Sequence, residues 1–398
     1  MQDNRLKKII VVLGIWFIYF SFGFSIASLS PLVHFITNDL MISYKKMGII
    51  LGTWQFVYIL FAIPAGYILD KFSFKYNLLI ACIILSLSII SRSFAQSFIQ
   101  FLLAVAIFGI GGSLISVGIP KVTSINFYGK TRAIVMGILM TAPPAGAIIC
   151  LSITSLVFLP VFENDWRNIL YIYALLPLLA GAIWIILNHI FQLNFEAQNH
   201  VITFNQQINL LKVFLLNKRI ILTLILAIIA FYLNHGLASW LPKILVSKGM
   251  SITLAPLYAA IPVFIGIFSA LIIPRIAIKK ARFNILILLM ANAAFSVILL
   301  QNDLGIFLLI GLMLLGITWG SLIAILLTHL TDTNIVNSKQ SGLAGGLFFT
   351  LAEIGGILGP FSIGLIYDIT NNFNSALAFY SIILFIMIIP ILVLKRIN

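Results

Sequence analysis

The chain has 398 residues, of which 62% are hydrophobic, 9% charged and 13% aromatic. A soluble globular protein carries about a quarter of its residues as charges, so this composition excludes a water-facing surface, and with it a soluble enzyme or a nucleic-acid binder. The 32 phenylalanines and the lack of polar low-complexity tracts exclude a disordered chain. The net charge of +14 is spread as punctuation between apolar runs, which is the pattern of membrane-protein loops.

A helix needs about 20 residues to cross roughly 30 Å of hydrocarbon. Twelve apolar segments of that length follow in order, at about 9–37, 46–69, 76–95, 98–121, 133–158, 169–191, 220–241, 252–273, 283–301, 304–328, 342–366 and 375–394. The predicted fold class is therefore an all-α integral membrane protein with 12 transmembrane helices. One polar stretch, Gln192–Arg219, divides the chain into a first six-helix bundle over 1–191, a loop over 192–219 and a second six-helix bundle over 220–398.

The first span follows Arg5, Lys7 and Lys8, is too long for a signal-peptide core and has no small-residue cleavage site, so it is expected to stay in the mature protein. An even number of spans puts both termini on one side. With that side cytoplasmic, the 24 basic residues divide 18 inside to 6 outside, the bias of a multi-pass plasma-membrane protein of the bacterial inner-membrane type. Cys82 and Cys150 both fall within spans and read as small apolar packing residues, with no disulfide implied.

Shifting the sequence on itself by about 207–209 positions produces two matches. Lys75-Tyr-Asn-Leu-Leu79 falls on Arg282-Phe-Asn-Ile-Leu286, and Thr141-Ala-Pro-Pro-Ala-Gly-Ala-Ile148 falls on Thr350-Leu-Ala-Glu-Ile-Gly-Gly-Ile357. Two matches at nearly one offset argue for two related halves. Transporters built from repeated halves bind substrate near the membrane midplane and alternate access by rocking one half against the other.

Nine of the ten acidic residues fall in loops or at span ends. The tenth, Glu353, has about a dozen apolar or small residues on either side. A carboxylate at that depth is expensive and is normally kept for a purpose. Its functional reading is proton coupling, or pairing with a cationic substrate; its plain reading is a hydrogen-bonded packing residue.

Span seven carries Asn234 and His235, and a histidine there can bond to substrate or simply pack. Tyr19, Ser21 and Ser25 in span one, Trp54, Gln55 and Tyr58 in span two, and Thr318 and Trp319 in span ten are the other polar and aromatic candidates for a cavity lining. Of these, Tyr19, Ser25, Gln55, Tyr58, Asn234, His235 and Trp319 are taken as the expected substrate-binding set, with Glu353 as the proton-coupling group. No arginine stands at mid-span to clamp an anion; Lys121 and Arg92 come closest, and Arg92 is expected to snorkel to the interface. Glycine and proline gather in spans four, five and eleven, which suits helices that pack closely and bend.

The loop after span two, Gly66-Tyr-Ile-Leu-Asp70-Lys71-Phe-Ser-Phe-Lys75, resembles the signature Gly-x-x-x-Asp-Arg/Lys-x-Gly-Arg/Lys-Arg/Lys of the major facilitator superfamily. Gly66, Asp70, Lys71 and Lys75 match, while Ser73 and Phe74 depart from it. The resemblance extends over the whole chain in span count, 6+6 division and central loop. It implies that this loop is a charge latch gating the conformational change. The second-half counterpart, Pro274-Arg275 to Arg282, keeps basic residues but lacks the aspartate. Gly236-Leu-Ala-Ser-Trp-Leu-Pro242, Gly359-Pro360 and Gly364-Leu-Ile-Tyr-Asp368 are similar to segments of the cyanate/nitroimidazole permeases and the organic anion–cation symporters, although Ala106 stands where the family often has a span-four arginine.

The expected function is secondary active transport of a small polar organic solute or organic anion by alternating access, coupled to protons. A proton-driven drug or metabolite efflux antiporter is the alternative; an intramembrane enzyme or a non-transporting receptor is the reading from another class. No phosphate-binding loop, His-Glu-x-x-His pair or paired carboxylates are present, so no enzyme activity, metal or cofactor is expected. The expected partners are substrate, protons and the lipid bilayer, with no nucleic acid, and the family's default is a monomer.

Overall fold

The computed structural model describes residues 2–127, 129–191, 212–333 and 341–397. Most of the expected central loop, residues 192–211, lies outside the described residues. Twelve helical stretches are long and apolar enough to cross a membrane, and no strand occurs among the described residues. In chain order they are built from α1 (Gln2–Ala27), continued by a short 3-10 turn and α2 (Val33–Asp39), then α3 (Tyr44–Lys71), α4 (Phe74–Ser93) and α5 (Phe98–Asn126). Span five is α6 (Gly129–Met140), α7 (Ala142–Ile153), a π turn and α8 (Leu159–Val161); span six is α9 (Trp166–Phe191). There follow α10 (Lys218–Ser247), α11 (Ala255–Ile276), α12 (Arg282–Leu299), α13 (Ile306–Thr331), α14 (Ser341–Thr370), and α15 (Phe373–Ile386) with α16 (Ile388–Ile397). Most are apolar on every face, which marks helices buried in protein on one side and lipid on the other. Phe56, Ile63 and Leu288 are exposed in keeping with that.

The chain packs as two compact units, Met1–Ile42 with Thr53–Asn199, and Ser43–Gly52 with His200–Asn398. In the first, α1 meets α7 almost backbone to backbone: a Cβ at Gly146 would collide with the carbonyl of Phe20 and lie 2.7 Å from Phe24 N, and one at Gly23 would strike Pro143. Span five is expected as one helix but breaks at Thr141, because Pro143 and Pro144 have no N–H to continue the ladder. The Thr141 hydroxyl donates to Ile138 O at 2.7 Å and accepts the Trp16 indole N–H at 3.1 Å, so the break is tied to α1. Ser86 Oγ donates to Ala174 O at 2.8 Å and Trp184 Nε1 to Lys75 O at 3.1 Å, joining α4 to α9. Cys82 and Cys150 are both fully buried free thiols, as expected for packing residues.

The second unit repeats this construction. A Cβ at Gly355 of α14 would collide with Ile228 O of α10 and lie 2.7 Å from Tyr232 N, and Gly359 faces Gly236 N at 3.0 Å. Gly146 and Gly355 correspond in the internal repeat, and Phe20 and Ile228 stand at nearly the same offset. The same glycine contact thus sets the first and fifth spans of each unit. Between α11 and α13, Gly316 and Gly320 lie against Pro262 and Gly266, and Ser269 Oγ donates to Gly316 O at 3.2 Å. Lys248 fastens three helix ends through Gln301 O and Asn374 Oδ1, each at 2.5 Å. Burial pulls its ammonium below the usual lysine range, and Asp303 pulls the other way.

The first turns of α3 group with the second unit, whereas the sequence division assigns them to the first. The reason is local. Asp368, at the end of α14, accepts the N–H groups of Tyr44 at 3.0 Å and Lys45 at 2.9 Å, capping the N-terminus of α3. Gly48 and Gly52 let α3 approach Pro360 and Ile357, and Tyr44 packs on Tyr367 at 4.4 Å between ring centroids. At another helix end Arg282 pairs with Asp332 at 2.6 Å, so the basic counterpart of the latch finds its carboxylate at the residue that ends α13 and not within its own loop.

Gly355→Val should destabilise the purified protein by about 1–3 kcal/mol through overpacking. Gly345→Ala, where nothing lies within 4 Å of an added Cβ, should leave its thermal midpoint unchanged or raised. Equal melting of the two variants would contradict the glycine contact. Asp368→Ala should lower stability by about 1 kcal/mol as a lost helix cap, with Asp368→Asn milder; the same melting experiment reads both.

Candidate functional site

Glu353 sits on α14 within the span Leu343–Thr370, and only 6% of it is exposed. Because Gly355 and Gly359 bring α14 against α10, the carboxylate faces His235, with Oε2 3.7 Å from Nε2. That distance exceeds hydrogen-bond range, and Oε2 is buried without a hydrogen-bond partner. The His235 ring lies 5.4 Å from that of Phe231, which in turn packs on Phe349 at 6.2 Å. Two ionisable groups therefore meet inside one unit, flanked by aromatic rings. The sequence singles out both residues but gives no sign that they are neighbours.

On α13, Trp319 is buried with its indole N–H unpaired, while Thr318 is engaged, accepting from Asn292 Nδ2 at 2.9 Å and donating to Leu289 O at 3.2 Å. Asn234 is half-buried beside His235 in sequence.

In the first unit, Gln55 is 1% exposed and both its amide N and its amide O lack hydrogen-bond partners. Trp54 and Tyr58 flank it in sequence, their rings edge to face at 6.4 Å. Tyr19 is half-buried and stacks on Phe22 at 5.9 Å. Ser25 is buried, and its hydroxyl donates to Ser21 O at 2.7 Å, as Ser21 does to Ile18 O and Ser28 to Ser25 O. These serines bond back to their own helix.

Arg92 does not snorkel. It is 2% exposed, with Nη2 3.1 Å from Ser88 Oγ, Nη1 3.4 Å from Ser28 Oγ, its guanidinium over the Phe108 ring at 5.1 Å, and Nε unpaired. It stands in the last turn of α4 and reaches the end of α1, where the carbonyl ends of both helices offset its charge. In the expected gating loop, Gly66 ends no tight contact, Lys71 and Lys75 lie over the rings of Tyr67 and Tyr76 at 5.9 and 5.5 Å, and the side chain of Asp70 lies outside the described residues.

A family model, Major Facilitator Superfamily, matches residues 15–360. The chain belongs to the Major Facilitator Superfamily. Among curated members, the hexuronate transporter of Bacillus subtilis (strain 168) is 25% identical, covering 88% of this chain and 86% of the relative. The protein named "Probable galactarate/D-glucarate transporter GudP" of Escherichia coli (strain K12) is also 25% identical, over 99% of this chain and 94% of its own. Of solved structures, the nucleoside transporter NupG superposes with a TM-score of 0.78 at 13% identity, over 98% of this chain and 99% of that one. A D-xylose–proton symporter superposes with a TM-score of 0.80 at 14% identity, over 96% and 97%. This facilitator is accordingly a multi-pass membrane protein and a secondary transporter of a small molecule, and it is not an enzyme.

An unpaired buried amide costs about 1–3 kcal/mol. Gln55→Leu in this facilitator should therefore raise the thermal midpoint in detergent; a lowered midpoint would mean that the amide is bonded in the folded protein.

Proposed function

We propose that this facilitator moves a small organic anion of the sugar-acid kind together with protons, across a plasma membrane in which both termini are cytoplasmic, and that it works as a monomer. The observation that carries the reading is Glu353, a carboxyl group enclosed by apolar helices with one oxygen unbonded and an imidazole beside it. Stable burial of such a group without a full set of partners is costly unless protonation is part of its task. The substrate class is supported by the curated relatives, which are named for hexuronate and for galactarate and D-glucarate.

Within the first unit, Tyr19, Ser25, Gln55 and Tyr58 offer substrate contacts; within the second, Asn234, His235 and Trp319 do so. Gln55 and Trp319 are the best supplied, since their polar atoms are buried and unbonded. An amide both donates and accepts, which suits the hydroxyls of a polyol acid. Gly66, Asp70, Lys71 and Lys75 act as the gating loop.

The test is uptake of labelled D-glucuronate, D-galacturonate and D-glucarate into proteoliposomes with an acidic exterior. Accumulation that a protonophore collapses supports the reading, and accumulation indifferent to the proton gradient refutes it. Glu353→Gln should abolish gradient-driven accumulation and retain exchange of labelled for unlabelled substrate; wild-type accumulation in this variant would remove Glu353 from the coupling. Gln55→Leu should raise the half-saturating concentration about fivefold, the equivalent of one lost hydrogen bond of about 1 kcal/mol.

A further inference from the structure

A charge buried among helices needs an opposite charge, or a task that requires it to stay without one. Among the described residues Arg92 meets no carboxylate, although it is only 2% exposed. The acids of the first unit whose side chains are described are placed elsewhere. Asp39 pairs with Arg167, Asp165 accepts from Arg167 N at 2.9 Å and Asn168 Nδ2 at 2.7 Å, and Glu163 is exposed in the turn before α9.

The surroundings hold this cation without neutralising it. Ser28 Oγ and Ser88 Oγ give their own protons to Ser25 O and Ala104 O, so each turns a lone pair to the guanidinium. The carbonyl ends of α1 and α4 add partial charges whose effect fades within a turn. An arginine keeps its proton at neutral pH, and its full charge reaches further. The guanidinium lies over Phe108, which is buried with Phe22 of α1 and Trp54 of α3, each ring 5.7 Å from its own. Gly109 draws α5 against α3 at the same level, since an added Cβ would lie 2.5 Å from Trp54 O. The residue after Trp54 is Gln55, with both ends of its amide buried and unbonded.

We infer that Arg92 is the positioning residue that makes the first unit select anions: its field draws a substrate carboxylate through the Phe108 and Trp54 rings, without touching it. The inference rests on the organic-anion reading and adds the source of the positive potential. Gln55 offers hydrogen bonds that any polyol can use; Arg92 supplies the preference for charge. A fixed unit charge about 10 Å from a carboxylate, at an effective dielectric of about 20, alters affinity on the order of tenfold. Coulomb energy is proportional to the charge of the ligand. The factor for a doubly charged ligand is therefore about the square of that for a singly charged one. A packing fault has no such dependence.

The experiment uses the full chain in proteoliposomes and reads half-saturating concentrations for exchange of labelled D-glucuronate, a monoanion, and labelled D-glucarate, a dianion. Arg92→Gln should raise the first about tenfold and the second about a hundredfold. Arg92→Lys, which keeps the charge, should stay within about threefold of wild type on both. Ser88→Asp should match Arg92→Gln although the arginine remains, because a carboxylate beside it cancels its field; the uncharged Ser88→Asn should behave as Arg92→Lys does. Melting in detergent checks that the variants fold; if Arg92→Gln does not, the two Ser88 variants decide. If the wild type carries only one of the two acids, the series on that acid decides. Equal losses for the two ligands overturn the inference, and so does a loss below about threefold in Arg92→Gln or Ser88→Asp. An Arg92→Lys or Ser88→Asn loss as large as that of its partner variant overturns it as well. Any of these results, with proton-driven accumulation intact, leaves the proposed function standing without this residue. A wild type that carries neither acid overturns both.

Discussion

In a bilayer, lipid tails compete for apolar surface as well as any side chain does, so helices associate through fit and not through exclusion of water. Everything positioned in this molecule depends on one solution to that problem. Glycines at equivalent places in the two units, Gly146 and Gly355, remove the side chain between the fifth and first spans of each half and let backbone touch backbone. Once α14 lies that close to α10, the residues two places before Gly355 and seven places after Ile228 are brought together. Those residues are Glu353 and His235.

The halves share the contact and differ in chemistry. At the repeat's offsets the first unit has Pro144 in place of Glu353 and Ala27 in place of His235. The first unit uses its proline to interrupt span five at Thr141; the second keeps a continuous helix there and places an ionisable group on it. One frame thus serves for bending in one copy and for charge in the other. The buried polar groups of the first unit are neutral or cationic, as in Gln55 and Arg92, and its acids lie away from the span interiors.

The architecture was largely legible in the sequence because span length and apolarity are one-dimensional signals, and the family-wide pattern of 12 spans follows from counting. Glu353 was legible for the same reason, since a lone acid in an apolar run needs no partner to be noticed. Its pairing with His235 was not, because it depends on how two distant helices rotate to meet. Arg92 shows the limit more sharply. A cation close to a span end reads as one that reaches the interface, yet it is turned inward toward Ser28, Ser88 and Phe108. Asp368 could have been suspected, because Gly364-x-x-x-Asp368 repeats the spacing of Gly66-x-x-x-Asp70; what it caps, the start of α3, was not readable. The loop after the second span carries little information, and the side chain of Asp70 falls among the undescribed positions.

The two native thiols have a practical consequence. Cys82 and Cys150 are both 0% exposed and packed inside the first unit. A water-soluble maleimide therefore has no ready target on the unaltered protein. A single cysteine placed at an exposed turn such as Asp303 would take a fluorophore or spin label selectively, so that movement could be followed spectroscopically in a background that still contains both natural thiols.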